Sequence, residues 1–368
     1  MEIFWILFWQ IIEKYGKWAA VGKKKISIAT FHVRCSYLAR ELHRLRTGKL
    51  VMIKDGKVIA QPRYKLAKPH NLKRKHIDAL VADWLARGLS AAYIHNMLSM
   101  FRVFAIWIGK PNLIASTVDV VPDPARKRRG QVAIVDKSWS QRGINILEKL
   151  ALIAKSDLRL AMVLELMWMF GLRLKEASLL CPWLADQKVY LDIARGTKGG
   201  RDRTHVIITH EQRDLIERAK AVVEDKNTCC IPRGMSYRSW QNHVYYVLRT
   251  HGITRKTIGT STHGLRNQHL NDLYEEIADA PSPVRGGQPG DVKPEIDRFA
   301  RQQVAETAGH GRRRASSAYL GGVLRRRAPV VDIKTAKPES MTKDEKNEAQ
   351  QSDEANATAS KLSEETNS

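Results

Sequence analysis

Three apolar stripes at helical spacing organise the first third of the chain. Phe31, Cys35, Leu38, Leu42 and Leu45 recur at intervals of three and four residues, as do Ile77, Leu80, Val81, Trp84 and Leu85. Ile94, Met97, Leu98, Phe101 and Ile108 form the third set. Such spacing puts each set on one face of an α-helix. Gly88 ends the second helix and Ser90 can cap the next. The stripes predict ordinary core packing, while Lys73, Arg74, Lys75, Arg87 and Arg102 fall on the outer faces. Residues 23–125 therefore read as a small, basic, helical domain.

The pattern then breaks. Pro122, Pro124 and the run Arg126, Lys127, Arg128, Arg129 oppose packing, so 126–143 reads as a linker. A second domain is expected over 144–325. It opens with helical spacing to about Phe170 and continues with two short strands, Lys188–Arg195 and Arg203–Ile208, around the turn GTKGGRD. Helical patterns return at 211–224, 236–250, 262–277, 297–308 and near 312–324. Residues 279–295 hold four prolines and three glycines, and are expected to form an inserted surface loop that tolerates shortening.

The ends differ from both domains. Residues 1–22 are read as an N-terminal extension. Its apolar run Ile3–Trp9 falls well short of the roughly 20 residues that span a bilayer. It also lacks the basic start and cleavage site of a signal peptide. A docking helix, or a start codon placed too far upstream, is expected there, with no membrane segment. Residues 329–368 carry five Lys against nine acids and almost nothing to bury, which predicts a disordered acidic tail.

Charge narrows the function. The 368 residues hold 62 Lys and Arg against 38 Asp and Glu, a formal net charge of +24. Residues 23–129 alone carry 23 Lys and Arg against six acids. A surplus of this size points to a polyanion, and nucleic acid is the leading partner. Affinity should then fall with salt, with a log–log slope of roughly −0.9 per neutralised phosphate. Cys35, Cys181, Cys229 and Cys230 have neither CxxC nor Cys/His spacing for zinc, and their reduced state suits the cytoplasm. No carboxylate cluster offers a magnesium site. We therefore expect no cofactor and a cytoplasmic, nucleoid-associated protein.

Four patches of the second domain carry the chemistry: FGLRLKEASLL (170–180), RGTKGGRDRTHVI (195–207), STHGLRNQH (261–269) and AGHGRRRASSAYLGG (308–322). Any one alone is unremarkable, since Arg173 is one of 62 basic residues and Tyr319 one of ten tyrosines. Taken in order, they resemble the tyrosine recombinase (phage-type integrase) family. Arg173 stands in a G-L-R-x-x-E context with Glu176 at i+3. Lys198 lies in the glycine turn, His263 and Arg266 fill H-x-x-R, and His310 follows Gly309. Tyr319 comes nine residues after His310. The match covers roughly 144–325, and the preceding helical segment resembles the family's DNA-clamping domain more loosely. The long gap between Arg266 and His310 resembles integrases of integrative elements.

The resemblance implies a mainly α fold with a small β-hairpin sheet (α+β), arranged as a two-domain, C-shaped DNA clamp. It implies that Tyr319 attacks the scissile phosphate to give a 3′-phosphotyrosyl link and a free 5′-hydroxyl. Arg173 and Arg266 would neutralise the non-bridging oxygens. His263 and His310 would donate hydrogen bonds or move protons, and Lys198 would protonate the departing oxygen. Glu176 is assigned a supporting ion pair. Partners would be double-stranded attachment sites, sister subunits in a tetramer, and accessory directionality or bending proteins. Other readings are a type IB topoisomerase-like swivelase, a DNA-binding protein without catalysis, and a metal-dependent nuclease. Filled catalytic positions argue against the second, and missing His or Asp clusters against the third. Spacing adds a constraint of its own. Nine residues on one straight helix rotate about 900°, which would put His310 and Tyr319 on opposite faces, so a break at Gly309 and Gly311 is required.

Overall fold

The computed structural model describes residues 2–322 apart from 19–24, 198–199, 201 and 289. The chain divides into two compact units, Met1–Val132 and Ala133–Ser368. The boundary falls inside the stretch expected to be a linker. The acidic tail lies outside the described residues.

The first unit contains α1 (Ile3–Tyr15), α2 (Ile28–Thr47), β1 (Val51–Lys54), β2 (Lys57–Ala60), α3 (Arg74–Ala86), α4 (Ala91–Trp107) and the short α5 (Thr117–Val120). The expected stripes are its core: Leu38, Leu42 and Leu45 of α2, Ile77, Leu80 and Trp84 of α3, and Ile94, Leu98 and Phe101 of α4 are fully buried. Helix α1 joins them through Phe4, Phe8, Ile11 and Ile12, with the Phe8 and Phe104 rings 5.8 Å apart. Ser27 and Ser90 cap α2 and α4 by accepting the backbone N–H of Thr30 and Tyr93. Not every outer cation is available to a polyanion. Lys73, Arg74 and Lys75 are exposed, Arg74 in a surface pair with Asp78 at 2.8 Å, whereas Arg87 pairs with buried Asp83 at 2.8 Å and Arg102 donates to the Ala115 carbonyl at 2.6 Å.

The antiparallel β1–β2 hairpin departs from the all-helical expectation for this region. Its turn is Asp55–Gly56, both at positive φ, and this pair is what a two-residue turn of that twist requires.

The second unit runs α6 (Ile146–Ala154), α7 (Leu158–Met169), α8 (Leu174–Leu179), α9 (Pro182–Ala185), β3 (Tyr190–Ile193), β4 (Arg203–Val206), α10 (His210–Val222), α11 (Tyr237–Thr250), α12 (His263–Ala278), α13 (Pro294–Thr307) and α14 (Ser317–Leu320). Strands β3 and β4 form an antiparallel hairpin with Ile193 opposite Arg203. The main core holds Trp139, Leu164, Phe170, Leu191, Leu215, Trp240 and Leu265. A smaller cluster joins α12, α13 and α14 through Leu270, Tyr274, Val304, Ala308, Tyr319 and Leu320. Both fix the segments that carry the four motif patches. In place of a long helix near 312–324 there is a 3₁₀ turn, Arg313–Ser316, and then the four-residue α14, stopped by Gly321 at φ +80.

Two segments read as loose are packed. In the expected linker, Asp136, Ser138 and Trp139 are buried. The Trp139 indole donates to the Ser261 carbonyl at 2.9 Å, tying this stretch to the start of α12. In the expected surface loop, Ser282 is fully buried and Arg285 pairs with Asp136, Asp272 and Glu275 at 2.7–2.8 Å. Proline and glycine content signalled a turn but not its long-range partners. Arg285→Ala is expected to leave the buried Asp136 carboxylate unpaired and to destabilise the fold by about 3 kcal/mol, at the low end for a broken buried pair. Urea denaturation of the variant checks this, and an unchanged midpoint would restore the picture of a dispensable loop.

Candidate active site

Arg173 lies immediately before α8, where the chain leaves Gly171 at φ +58. A side chain at 171 would also sit 2.6 Å from the His269 ring, so both the backbone angle and the space call for glycine. The Glu176 carboxylate turns back to accept the Arg173 backbone N–H at 2.7 Å and its guanidinium at 2.5 Å. Two further arginines surround the same fully buried carboxylate. Arg203, the first residue of β4, donates to it at 2.7 Å, and Arg266 of α12 stands 3.8 Å away. Burial alone would raise the Glu176 pKa, but Arg203, the Arg173 N–H and the charges of Arg173 and Arg266 outweigh it and hold the pKa below the usual carboxylate value.

The guanidiniums share a second set of acceptors, the carbonyls at the end of α13. Ala308 O accepts from both Arg173, at 2.8 Å, and Arg266, at 2.5 Å, while Thr307 O accepts from Arg203. Helix C-termini leave such carbonyls unpaired and partly negative, which suits cations. Arg266 is wholly buried and also donates to Gly171 O at 2.5 Å. Burial, joined by the charges of Arg173 and Arg203, lowers its pKa to about 10, so it stays charged at neutral pH. Glu176 is the carboxylate paired with each of these three arginines among the described residues, so two positive charges are left over around it.

Tyr319 faces this surplus. The Arg266 Nε lies 3.4 Å from its hydroxyl, and His310 Nε2 lies 3.2 Å from the same oxygen. The turn at Gly309 ends α13 and the short α14 begins afresh, which is how residues nine apart meet. The His263 ring centre is 5.9 Å from that of Tyr319. His263 is open to solvent on one side, yet the protein crowds the rest of the ring. That desolvation, then Arg266, Arg255, Arg173 and Lys137, lowers its pKa to about 4, so it is neutral at pH 7. Arg173, Glu176, His263, Arg266, His310 and Tyr319 thus come together. Lys198 lies outside the described residues, between β3 and β4. Arg203 was missed by the motif reading, although strand alternation places it with His205 on the inward face of β4. Among the described residues no group of three or more His, Cys, Asp or Glu could hold a metal ion, and no helix is long and apolar enough to cross a membrane.

The sequence-family model described as Integrase matches residues 132–272, and that described as Phage integrase, N-terminal, matches 55–114. The chain belongs to the tyrosine recombinase family of phage-type integrases. In this integrase the longer match takes in Arg173, Glu176, Arg203, His263 and Arg266 but stops before His310 and Tyr319, whose placement rests on the geometry above. Among curated proteins none matches. Solved structures with the same fold include a lambda integrase tetramer bound to a Holliday junction, at 15% identity and TM-score 0.54, covering 88% of this chain and 80% of that one. A lambda integrase dimer bound to a COC′ core site gives 16% and 0.52, covering 87% and 96%. XerH site-specific recombinase bound to a palindromic difH substrate gives 15% and 0.51, covering 82% and 78%. At these identities the likeness speaks for the integrase fold.

Proposed function

We propose that this integrase is a site-specific recombinase that cuts and rejoins double-stranded DNA through a 3′-phosphotyrosyl intermediate on Tyr319. The observation that supports this most is the surplus of two guanidinium charges around Glu176, next to the Tyr319 hydroxyl. A buried charge excess is costly alone and becomes favourable once an anion enters. A phosphodiester under attack is such an anion, and it gains charge in the transition state.

The roles follow from position. Tyr319 Oη bonds to phosphorus and gives its proton to His310 Nε2, 3.2 Å away. Arg173 and Arg266 donate to the non-bridging oxygens, and neutral His263 adds a further N–H. Glu176 keeps the arginines in place. The bond to the 5′-oxygen breaks, and Lys198 supplies the proton for that oxygen. Rejoining runs the same steps backwards with a new 5′-hydroxyl, so the phosphotyrosyl link conserves the bond energy. The lambda integrase structure on a Holliday junction is a tetramer. We extend that assembly to this chain, with two attachment sites as substrate and accessory directionality or bending proteins as further partners. Exposed Lys73, Arg74 and Lys75 fit phosphate contacts made by the first unit.

Lys198→Ala tests the assignment of the acid. An unprotonated 5′-alkoxide leaves poorly, so cleavage of nicked duplex DNA should fall by about 10²–10⁴-fold. Sulfur at the bridging 5′ position leaves without a proton and should restore cleavage. If the sulfur substrate is cut no faster than the oxygen one, Lys198 is not the acid.

A further inference from the structure

Arg203 has both of its terminal nitrogens committed to protein. One donates to Glu176 at 2.7 Å and the other to the Thr307 carbonyl, and the side chain is only 9% exposed. These two bonds link β4 to α8 and to the end of α13. Its backbone position is more informative. Arg203 opens β4 opposite Ile193, so this pair ends the β3–β4 ladder on either side of residues 194–202. The other side of that turn is pinned as well. A Cβ at Gly196 would lie 2.7 Å from the Lys175 carbonyl, so the turn passes directly against the backbone of α8, one residue before Glu176. Lys198 sits in the sequence between these two anchors.

We propose that Arg203 is a positioning residue that ties the Lys198 turn to the arginine cluster. Glu176 is the shared anchor: it fixes Arg173 on one side and, through Arg203, the strand that leaves the turn on the other. The same guanidinium reaches the end of α13, two residues before Gly309, and a Cβ at Gly309 would stand 3.1 Å from Arg203 Cδ. The start of β4, the Glu176 carboxylate and the His310 segment thus meet at one side chain. The inference rests on the reading of Lys198 as the acid.

The test compares Arg203→Ala and Arg203→Lys with Lys198→Ala in the full chain. Nicked duplex DNA carries either oxygen or sulfur at the bridging 5′ position. A misplaced acid should cost Arg203→Ala about 10²-fold or more on the oxygen substrate, the lower range for general acid catalysis. Most of that loss should return on the sulfur substrate, with DNA affinity in a gel shift unchanged. Arg203→Lys keeps one of the two bonds and should fall between wild type and Arg203→Ala. If Arg203→Ala does not fold, as judged by thermal melting, the lysine variant carries the same comparison. Equal losses on the two substrates, or no loss at all, would overturn the proposal. Sulfur rescue of Lys198→Ala without rescue at position 203 would also overturn it and leave the proposed function standing. Rescue of neither removes the acid assignment and the tie together. A wild-type protein that forms no covalent adduct fails the proposed function itself.

Discussion

Tyr319→Phe is expected to abolish covalent attachment to DNA while leaving the fold almost untouched. The ring packs among Leu270, Tyr274, Val304 and Leu320, and phenylalanine preserves that packing. The hydroxyl's two contacts, to Arg266 Nε at 3.4 Å and His310 Nε2 at 3.2 Å, are long. Their loss should change stability by about 1 kcal/mol at most. The chemistry has no substitute, because the oxygen removed is the one that would bond to phosphorus. A denaturing gel after incubation with nicked duplex DNA reads the adduct, and a thermal melt reads the fold. A band that persists in the variant would place the nucleophile elsewhere and take the active-site assignment with it.

Glu176→Ala should fail in both measurements. Its carboxylate is fully buried and pairs with Arg173 and Arg203, with Arg266 3.8 Å away. Removing it leaves three guanidiniums in one pocket without a counter-charge. Breaking a buried pair in this way costs about 3–5 kcal/mol, a large part of the roughly 5–15 kcal/mol that holds a domain together. Cleavage should fall below detection, since neither Arg173 nor the β4 anchor keeps its place. Glu176→Gln retains the volume and one acceptor and should lose less stability, but it too should be inactive. The pH dependence has a definite sign. The folded pKa of Glu176 is depressed below its ordinary value of 4.5, so its contribution is complete above that pH and is lost as pH falls through the folded value. Urea titrations of wild type and Glu176→Gln at several pH values should converge as the pH is lowered through this window. A gap that stays constant down to strongly acidic pH would contradict the depressed pKa.

What could be read from the sequence divides by the range of the interaction involved. The helical stripes and the Ser90 cap depend on residues three or four apart, and they appear where periodicity places them. The meeting of His310 and Tyr319 follows from nine residues, a glycine and the geometry of a helical turn. The β1–β2 hairpin was legible too, because Asp55–Gly56 between two short apolar runs, Val51–Ile53 and Val58–Ala60, is a strong turn signal that the helical reading of 23–125 passed over. Arg203 is different. Strand alternation turns it inward, but nothing local tells what it meets there, since its partners Glu176 and Thr307 are 27 and 104 residues away. Arg285 escaped for the same reason, since its partner Asp136 is 149 residues distant. Composition identified 279–295 as irregular chain, but irregular backbone can be buried when one side chain finds several distant carboxylates.

The paired guanidiniums on the end of α13 bear on how mutational maps of this site will look. Three of its acceptors, Gly171, Thr307 and Ala308, contribute through main-chain oxygens that every amino acid possesses. Side-chain scanning removes none of them, and at Ala308 an alanine scan changes nothing at all. A deep mutational profile will therefore show the arginines as indispensable while the carbonyl oxygens they grip leave no trace of their own, an asymmetry that belongs to the method. Atomic mutagenesis of the backbone, such as an ester in place of the Ala308–Gly309 amide to weaken that one carbonyl as an acceptor, would make the hidden half of the site visible.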